Sequence, residues 1–568
     1  MIQYRCKSCK ISCNSSNCSI CGERTKKDST IYWCEFCNIP IYEEQCSLCQ
    51  HTGRPLSRDI RPVFPEERLL IEIVRGKPFE FLEESVWNGS GSNYFINGKR
   101  ISFSISGLRN CNTDWVREEY DKLKKENTYL YFERLIEKWI QANQKRFTEI
   151  EKEAISYIRE KCSNYDRRDL LVSFSGGKDS TVTSDLVLRA FNTTQIAHIF
   201  GDTTLEFPQT LAYITRFRKE HPKVLLMTAE NKEKDFMELC RLIGPPSRVM
   251  RWCCTVFKTG AITRKIQAMF RGKAHIVTFY GIRRSESITR SKYERESDSP
   301  KITKQTVISP IIDWYDFDIW LYLFTRKIDF NDAYRLGYTR VGCWCCPNNS
   351  LWSEFLSRVH MAESYQKFRN LLLEFAIQIG KPDPKQYIDG GFWKARQGGN
   401  GVAYAQKSVI SFEACATEEH TFQYQLQRPI SEELYELFKP FGYINFSLGN
   451  ARLGEVYVFD HMGKIVLRLV GRKGSELLRV TIYKKTIANA KGWKAAEEKV
   501  KCQITKYQMC MGCKACVSVC RYNAIHISYG EGDNVYYRID DAVCKRCGEC
   551  VGHFIAGCYM RKVLSIKR

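Results

Sequence analysis

Nowhere among the 568 residues does an apolar run approach the roughly 20 that a membrane-crossing helix requires, so membrane-spanning classes are not expected. The N-terminus is rich in Cys and Lys instead of forming an apolar leader, so the expectation is a cytoplasmic protein with no membrane partner. Acidic residues are scarce relative to basic ones: 64 Asp and Glu stand against 87 Lys and Arg, a formal charge of +23. From Thr255 to Ser285 acids are missing altogether, while Lys258, Arg264, Lys265, Arg271, Lys273, Arg283 and Arg284 occur; from Arg468 to Lys501 ten basic residues meet three acids. A solvated basic face is the plainer reading of either segment alone. Together they favour a polyanionic partner, DNA or tRNA.

What is abundant is cysteine, 27 in all, and most of it falls in Cys-x-x-Cys pairs, the spacing that sets two thiolates on one metal. Metals, not disulfides, account for that pattern. Hydrophobic residues at 43% and aromatics at 13% suffice for packed units, and the length calls for three to five domains.

Residues 1–52 carry the pairs Cys6/Cys9, Cys18/Cys21, Cys34/Cys37 and Cys46/Cys49, with Cys13 left over. Two pairs make one tetrahedral four-cysteine site, so the segment looks like two tandem zinc ribbons, with iron the runner-up metal. Residues 53–112 alternate apolar and polar and contain turn signals such as Asn97-Gly98, suggesting a small β-rich unit. Helical spacing follows over 113–167, a connector. In 168–354, the runs Leu170 to Val172, Ile196 to Phe200, Val224 to Met227 and Ile276 to Tyr280 alternate with helical segments, the mark of an α/β domain with a parallel doubly wound sheet. Residues 355–500 read as a helical extension and a basic α+β domain, and 501–568 as an α+β ferredoxin-like domain.

The chemistry starts at Ser173-Phe174-Ser175-Gly176-Gly177-Lys178-Asp179-Ser180, between a strand and a helix. Such a turn delivers backbone N–H groups and a helix N-terminus to phosphate. The Walker A spacing is absent, because the glycines touch and Asp179 follows the lysine. Gly201-Asp202-Thr203-Thr204 ends the second strand, where Asp202 could meet a ribose hydroxyl or magnesium, or cap the next helix.

The loop resembles the pyrophosphate-binding loop of the ATP pyrophosphatase (adenine-nucleotide alpha hydrolase) superfamily. With Asp202 to Thr210, Arg251-Trp252-Cys253-Cys254, Gly281-Ile282-Arg283-Arg284-Ser285-Glu286-Ser287 and Gly342-Cys343-Trp344-Cys345-Cys346-Pro347, it follows the motif order of the phosphoadenosine phosphosulfate (PAPS) reductase family over about a third of the chain. The resemblance implies an adenine nucleotide with magnesium and a catalytic set of Lys178, Asp179, Asp202 and Arg283. It further implies nucleotide contacts from Ser173, Ser175, Gly176, Gly177, Ser180, Thr203, Gly281, Arg284 and Glu286. Cys253, Cys254, Cys343 and Cys346 look like the 4Fe-4S ligands of iron-sulfur members, with Cys345 an alternative ligand, a redox thiol or a buried small residue.

Cys510-x-x-Cys513-x-x-Cys516-x-x-x-Cys520, then Cys544-x-x-Cys547-x-x-Cys550 and Cys558, resembles a bacterial two-cluster ferredoxin, in which each fourth cysteine serves the other cluster. By that resemblance Cys510, Cys513, Cys516 and Cys558 hold one cluster, and Cys520, Cys544, Cys547 and Cys550 the second. Arg521 replaces the usual proline and the spacing to Cys558 is long, so Cys502 is an alternative ligand. The expected inventory is up to three 4Fe-4S clusters, two zinc ions and ATP with magnesium.

Three functions follow as expectations. The first is ATP-dependent activation of a nucleic acid for sulfur insertion, served by a sulfur donor such as a cysteine desulfurase and an external electron donor. The second is reduction of adenylylsulfate or PAPS to sulfite, whose usual degraded loop and C-terminal Glu-Cys-Gly are both missing. The third is a non-catalytic nucleic-acid-binding iron-sulfur scaffold. If the basic segments grip duplex nucleic acid, log affinity should fall with log salt by about 0.9 per phosphate neutralised, and a flat titration would remove that role.

Overall fold

The computed structural model describes residues 4–5, 9, 12–13, 17–23, 26–27, 30–89, 91, 93–103, 106–230, 235–248, 251–273, 275–287, 290–298, 305–378, 380–395, 411–510, 516–517, 520, 522–529 and 535–552. Cys6, Cys513 and Cys558 lie outside the described residues. None of the described helices is long and apolar enough to cross a membrane.

The central sheet is built from β1 (Leu170–Ser173), β2 (Ala197–Asp202), β3 (Leu226–Glu230), β4 (Ile276–Tyr280), β5 (Glu296–Asp298) and β6 (Gln305–Ile308), in the order β3-β2-β1-β4-β6-β5. All neighbours run parallel except β5, which is antiparallel to β6. In β1, Leu170, Leu171 and Val172 are all fully buried, which is why the strand reads as an unbroken apolar run and not as an alternating one. Helices α1 (Lys178–Phe191), α2 (Pro208–Glu220), α3 (Phe236–Ile243), α4 (Gly260–Met269) and α5 (Asp316–Thr325) complete the unit. The chain leaves β1 toward β2 on one side and returns through β4 on the other, so the strand order reverses at β1/β4. In a parallel α/β sheet the crevice at that reversal, outside the carboxyl ends, is where ligands bind.

The second cysteine ribbon is docked on this unit. Its strands Ile31–Cys34, Ile39–Ile41 and Arg54–Ser57 pair antiparallel, and Trp33, Ile39 and Ile41 share one buried core with Leu170, Val172, Phe317 and Trp320. The segment expected to be β-rich does contain a four-stranded sheet, together with a buried helix, Pro65–Val74. Its start signal is Pro65, a proline at the first helical position. Helices Thr113–Leu123, Leu130–Ala142 and Gln144–Lys161 form the connector.

Arg146, on the last of these, makes two 2.8 Å hydrogen bonds to the Asp318 carboxylate on α5, and its guanidinium lies 3.9 Å over the Tyr42 ring of the ribbon. One buried cation therefore pins ribbon, connector and α5 together. Further on, six antiparallel strands between Ser411 and Ile482 form a sheet that packs on the helix Trp493–Met509 through Ala496, Val500 and Ile504. A hairpin, Ile525–Tyr529 with Val535–Ile539, belongs to the ferredoxin-like segment.

Removing one member of a buried ion pair strands the other, at about 3–5 kcal/mol. Arg146→Met should therefore lower unfolding stability by about that amount in urea titration, whereas a change under about 1 kcal/mol would show the pair to be dispensable.

Candidate functional site

The turn from β1 into α1 depends on Gly176, which adopts φ +70°. A Cβ on Gly177 would stand 3.1 Å from the Tyr334 hydroxyl, so the loop is closely packed as well as tightly turned. The Ser180 hydroxyl ties the turn from inside, accepting from the Ser175 N–H at 3.1 Å and donating to the Gly177 carbonyl at 2.9 Å. Ser175 Oγ lies 3.1 Å from the same hydroxyl, and the Lys178 N–H donates to Tyr334 at 3.0 Å. The loop is thus preformed at a helix N-terminus, a ready anion site. Ser173, at the end of β1, is hydrogen-bonded to the Tyr280 side chain and serves the sheet.

Four charges close over this loop, the two cations buried and the two carboxylates half-buried. Lys178 Nζ lies 3.0 Å from Asp179 and 3.2 Å from Asp316; Arg283 contacts Asp179 through Nε and Asp316 through Nη2 at 2.9 Å. Gly281 makes this contact possible, because a Cβ there would fall 2.6 Å from the Asp179 carbonyl. Burial pushes both carboxyls up, but Arg283 and Lys178 outweigh it and hold Asp179 and Asp316 below the usual carboxylate range. Burial penalises the charge on Lys178 and Arg283 too, yet the carboxylates raise both above their ordinary values.

Behind Asp316 stands Asp59, contributed from just beyond the ribbon. It accepts the N–H groups of Asp316 at 3.0 Å and Phe317 at 3.1 Å, capping α5 from a distant part of the chain. Burial and the Asp316 charge push its carboxyl up to about 7, while Arg283 and the two N–H groups pull the other way. Asp59, Asp316 and Tyr334 escaped the sequence reading, since none falls in a recognisable motif.

The remaining expected nucleotide residues divide. Glu286 accepts from the Arg283 N–H at 3.1 Å and pairs with Arg290, so it braces Arg283. Arg284 turns aside to Asp313 and to the Tyr293 carbonyl at 2.9 Å, and is not brought to the Lys178 group. Asp202 accepts from the Thr204 N–H at 2.7 Å, capping its own turn and not the next helix. Thr203 Oγ1 donates to Glu206 at 2.8 Å and lies 3.4 Å from Cys343 Sγ.

That last contact joins the nucleotide side to the cysteines. Glu206 forms an isolated β-bridge with Cys343, and the Trp344 N–H donates to the Leu205 carbonyl at 3.0 Å, fastening the Cys343 loop across the carboxyl end of β2. Cys253 interacts with Cys254, Cys343 and Cys345, and Cys346 with Cys254. Burial pushes Cys343 up to about 12, and the Cys253, Cys345 and Cys346 thiols are raised as well. Buried thiols that oppose one another's ionisation fit a cluster whose positive charge would remove that opposition. Cys345 itself is buried, 8% exposed.

In the second ribbon the Sγ atoms of Cys34, Cys37, Cys46 and Cys49 all lie within 4.8 Å of one another, a donor set that fits a tetrahedral thiophilic ion such as zinc. Cys9, Cys18 and Cys21 gather equally closely in the first. At the C-terminal end, Cys520 interacts with Cys544 and Cys550, and Cys544 with Cys547, while Tyr537 lies among Cys510, Cys516 and Cys550. Cys502, the alternative ligand, is buried in the core that contains Phe236, Trp252 and Trp393.

The phosphoadenosine phosphosulfate reductase domain matches residues 169–349, and a 4Fe-4S binding domain matches 506–526. An adenosine 5'-phosphosulfate reductase of Anoxybacillus flavithermus is 30% identical over 185 residues, 31% of this chain and 72% of that protein. An uncharacterized Methanocaldococcus jannaschii protein is 33% identical over 278 residues, 48% of this chain. The chain matches 63% of that relative's length, less than two thirds. A crystal structure of PAPS reductase from Candida auris in a phosphate complex aligns over 36% of this chain and 97% of its own, with 16% identity and a TM-score of 0.28. Fold and motifs define an α/β domain of the phosphoadenosine phosphosulfate reductase type, followed later in the chain by a 4Fe-4S binding motif. The chain belongs to the phosphoadenosine phosphosulfate reductase family.

Asp59 yields a pH test. Its folded value of about 7 exceeds the unfolded carboxyl value of about 3.9, so the folded state holds the extra proton between them. Its contribution is therefore full below about pH 4 and is lost as pH rises through about 7. Relative to Asp59→Asn, the native protein should lose stability from about pH 5 to about pH 8 in urea unfolding; parallel pH profiles would refute the assignment.

Proposed function

We propose that the enzyme cleaves ATP to AMP and pyrophosphate in order to activate an oxygen of a nucleic-acid substrate for replacement by sulfur. The substrate oxygen attacks the α-phosphorus, the new O–P bond forms, and the bond to the bridging oxygen breaks so that pyrophosphate leaves with its electron pair. A sulfur donor, with two electrons from an external donor where the sulfur arrives at the sulfane level, then supplies sulfide that displaces AMP. Loop N–H groups, Lys178 and Arg283 stabilise the charge that develops on the departing pyrophosphate, and a magnesium ion held beside Asp179 would add to it. The observation that carries this reading is the complete charge set over an intact glycine turn at the strand-order reversal.

Asp179 orients Lys178 and Arg283 and offers a carboxylate to the metal, and Asp316 shares the first task. Clusters held by Cys253, Cys254, Cys343 and Cys346 and by the ferredoxin-like cysteines would supply one-electron transfer and a sulfur-binding site; zinc in the ribbons would be structural.

The second reading, reduction of adenylylsulfate or PAPS to sulfite, is favoured by one observation, the identity to an adenosine 5'-phosphosulfate reductase. Anaerobic turnover separates the two. Expected for the first are AMP and pyrophosphate in equal amounts from ATP, and no sulfite from either sulfonucleotide. Asp179→Asn should abolish pyrophosphate release, a loss of at least about a hundredfold, with iron content unchanged. Sulfite release by the native protein would reverse the ranking.

A further inference from the structure

The cysteine centre has a second face. Cys343 meets Thr203 and Glu206 on the nucleotide side, whereas Cys345 and Cys346 line a cavity of about 580 Å³ that contains no residue of the phosphate loop. Its walls come from the segment around Leu108 and from the helices Leu351–His360 and Ala362–Gln378. The volume falls within the range of small-molecule sites. Trp344, Phe368 and Trp393 line it edge to face, with ring centroids 5.9 Å and 5.7 Å apart, so an aromatic ring entering would find aromatic partners.

Around this cavity the charge is positive. Its carboxylates already have cations of the chain as partners, Glu354 on the buried Lys394 and Asp389 on Arg369 among them. Arg109, on the cavity wall, and Arg248, whose Nε donates to the Pro347 carbonyl at 3.3 Å, both act electrostatically on Lys394. Arg251 and Arg340 act in the same way on Cys346. These four arginines are exposed, and among the described residues none forms an ion pair. Arg109 lines the cavity and the other three lie near its Cys346 and Lys394 side, so a collar of exposed positive charge adjoins an aromatic cavity with thiols in its wall. An anion alone would need only the collar, and an apolar ligand only the cavity; a flat ring carried on a phosphate chain uses both.

We propose that this cavity receives a single nucleobase from a single-stranded polynucleotide, whose phosphates lie on Arg109, Arg248, Arg251 and Arg340. The inference rests on the reading that the sulfur acceptor is nucleic acid and gives that strand an anchoring base on the face of the cysteine centre away from the phosphate loop, while the oxygen that is adenylylated belongs to another part of the same strand.

The test uses the full-length protein and short single strands, RNA and DNA, each intact or with one central abasic site, read by fluorescence anisotropy without ATP. The intact strand should bind about tenfold or more tightly than its abasic counterpart, in whichever sugar series binds. Ala362→Trp, which projects an indole from the cavity lining, should bring that ratio to about one and leave abasic binding unchanged. Arg251→Ala with Arg340→Ala should weaken intact and abasic strands alike and reduce the log–log salt slope by about 1.4. Equal binding of intact and abasic strands by the native protein overturns the proposal, and so does an unchanged ratio in Ala362→Trp. ATP turnover is scored separately. Base-dependent binding without ATP cleavage would sink the activation reading but not the cavity, and the reverse result would sink the cavity alone.

Discussion

Two cations and two carboxylates locked together under a glycine turn are the constraint around which the rest of the catalytic unit is arranged. Lys178, Asp179, Arg283 and Asp316 come from α1, from the turn after β4 and from the start of α5, so the ring closes only if those elements hold their relative positions. Burying charges is a weak source of stability, since the desolvation cost rivals the attraction. What the ring secures is orientation. Each cation is bound twice, each carboxylate twice, and none can swing away without leaving a charge unpaired in a low-dielectric site. On the proposed reading, a polyphosphate entering the loop meets donors already fixed in place, which is how electrostatic stabilisation avoids reorganisation at the moment of reaction.

This explains why parts of the chain remote from the loop are built into its surroundings. Asp59 holds the two leading N–H groups of α5, and so positions Asp316 from beyond the ribbon. Arg146 grips Asp318 one helical step further along and lies over Tyr42 of the ribbon itself. The four-cysteine site at Cys34, Cys37, Cys46 and Cys49 belongs to the same buried core as β1 and α5. The ribbon and Asp316 are therefore joined by this core and by the polar links through Asp59 and Arg146.

Much of this was legible in the primary structure, and the rest was not, for identifiable reasons. Strands β1, β2 and β4 announce themselves because a parallel strand buried on both faces must be continuously apolar, whereas β3, at the sheet edge, is mostly half-buried. The phosphate loop is legible because φ +70° at Gly176 and the close approach at Gly281 admit no side chain, so the requirement is written in residue type. Asp316 and Asp59 carry no such signature. An aspartate that caps a helix or pairs with a guanidinium looks the same in sequence as one on a solvated turn, and only long-range contact distinguishes them. Arg284 shows the converse: adjacency to Arg283 suggested a shared role, but Arg283 caps a short 3-10 turn that Arg284 begins, and the Arg284 side chain goes to Asp313.

The helix Trp493–Met509 gives the two cysteine regions a physical relation that their separation in sequence conceals. Ala496, Val500 and Ile504 face the antiparallel sheet, Lys506 donates to the Cys550 carbonyl at 2.6 Å, and Cys510 follows the helix's last turn. Cys502, two turns before Cys510, packs instead in the core of Phe236, Trp252 and Trp393 that also takes in Cys345 and borders Cys253 and Cys343. A single rigid element thus touches the catalytic cysteine region with one face and leads directly into the ferredoxin-like cysteines at its end. Two turns of helix rise about 11 Å, so the arrangement keeps both cysteine regions near one another without any loop having to close. On the proposed reading, an electron donor fused in this way needs no encounter complex, and it reaches the region of Cys253 and Cys343 through the core and not through the cavity beside Cys346.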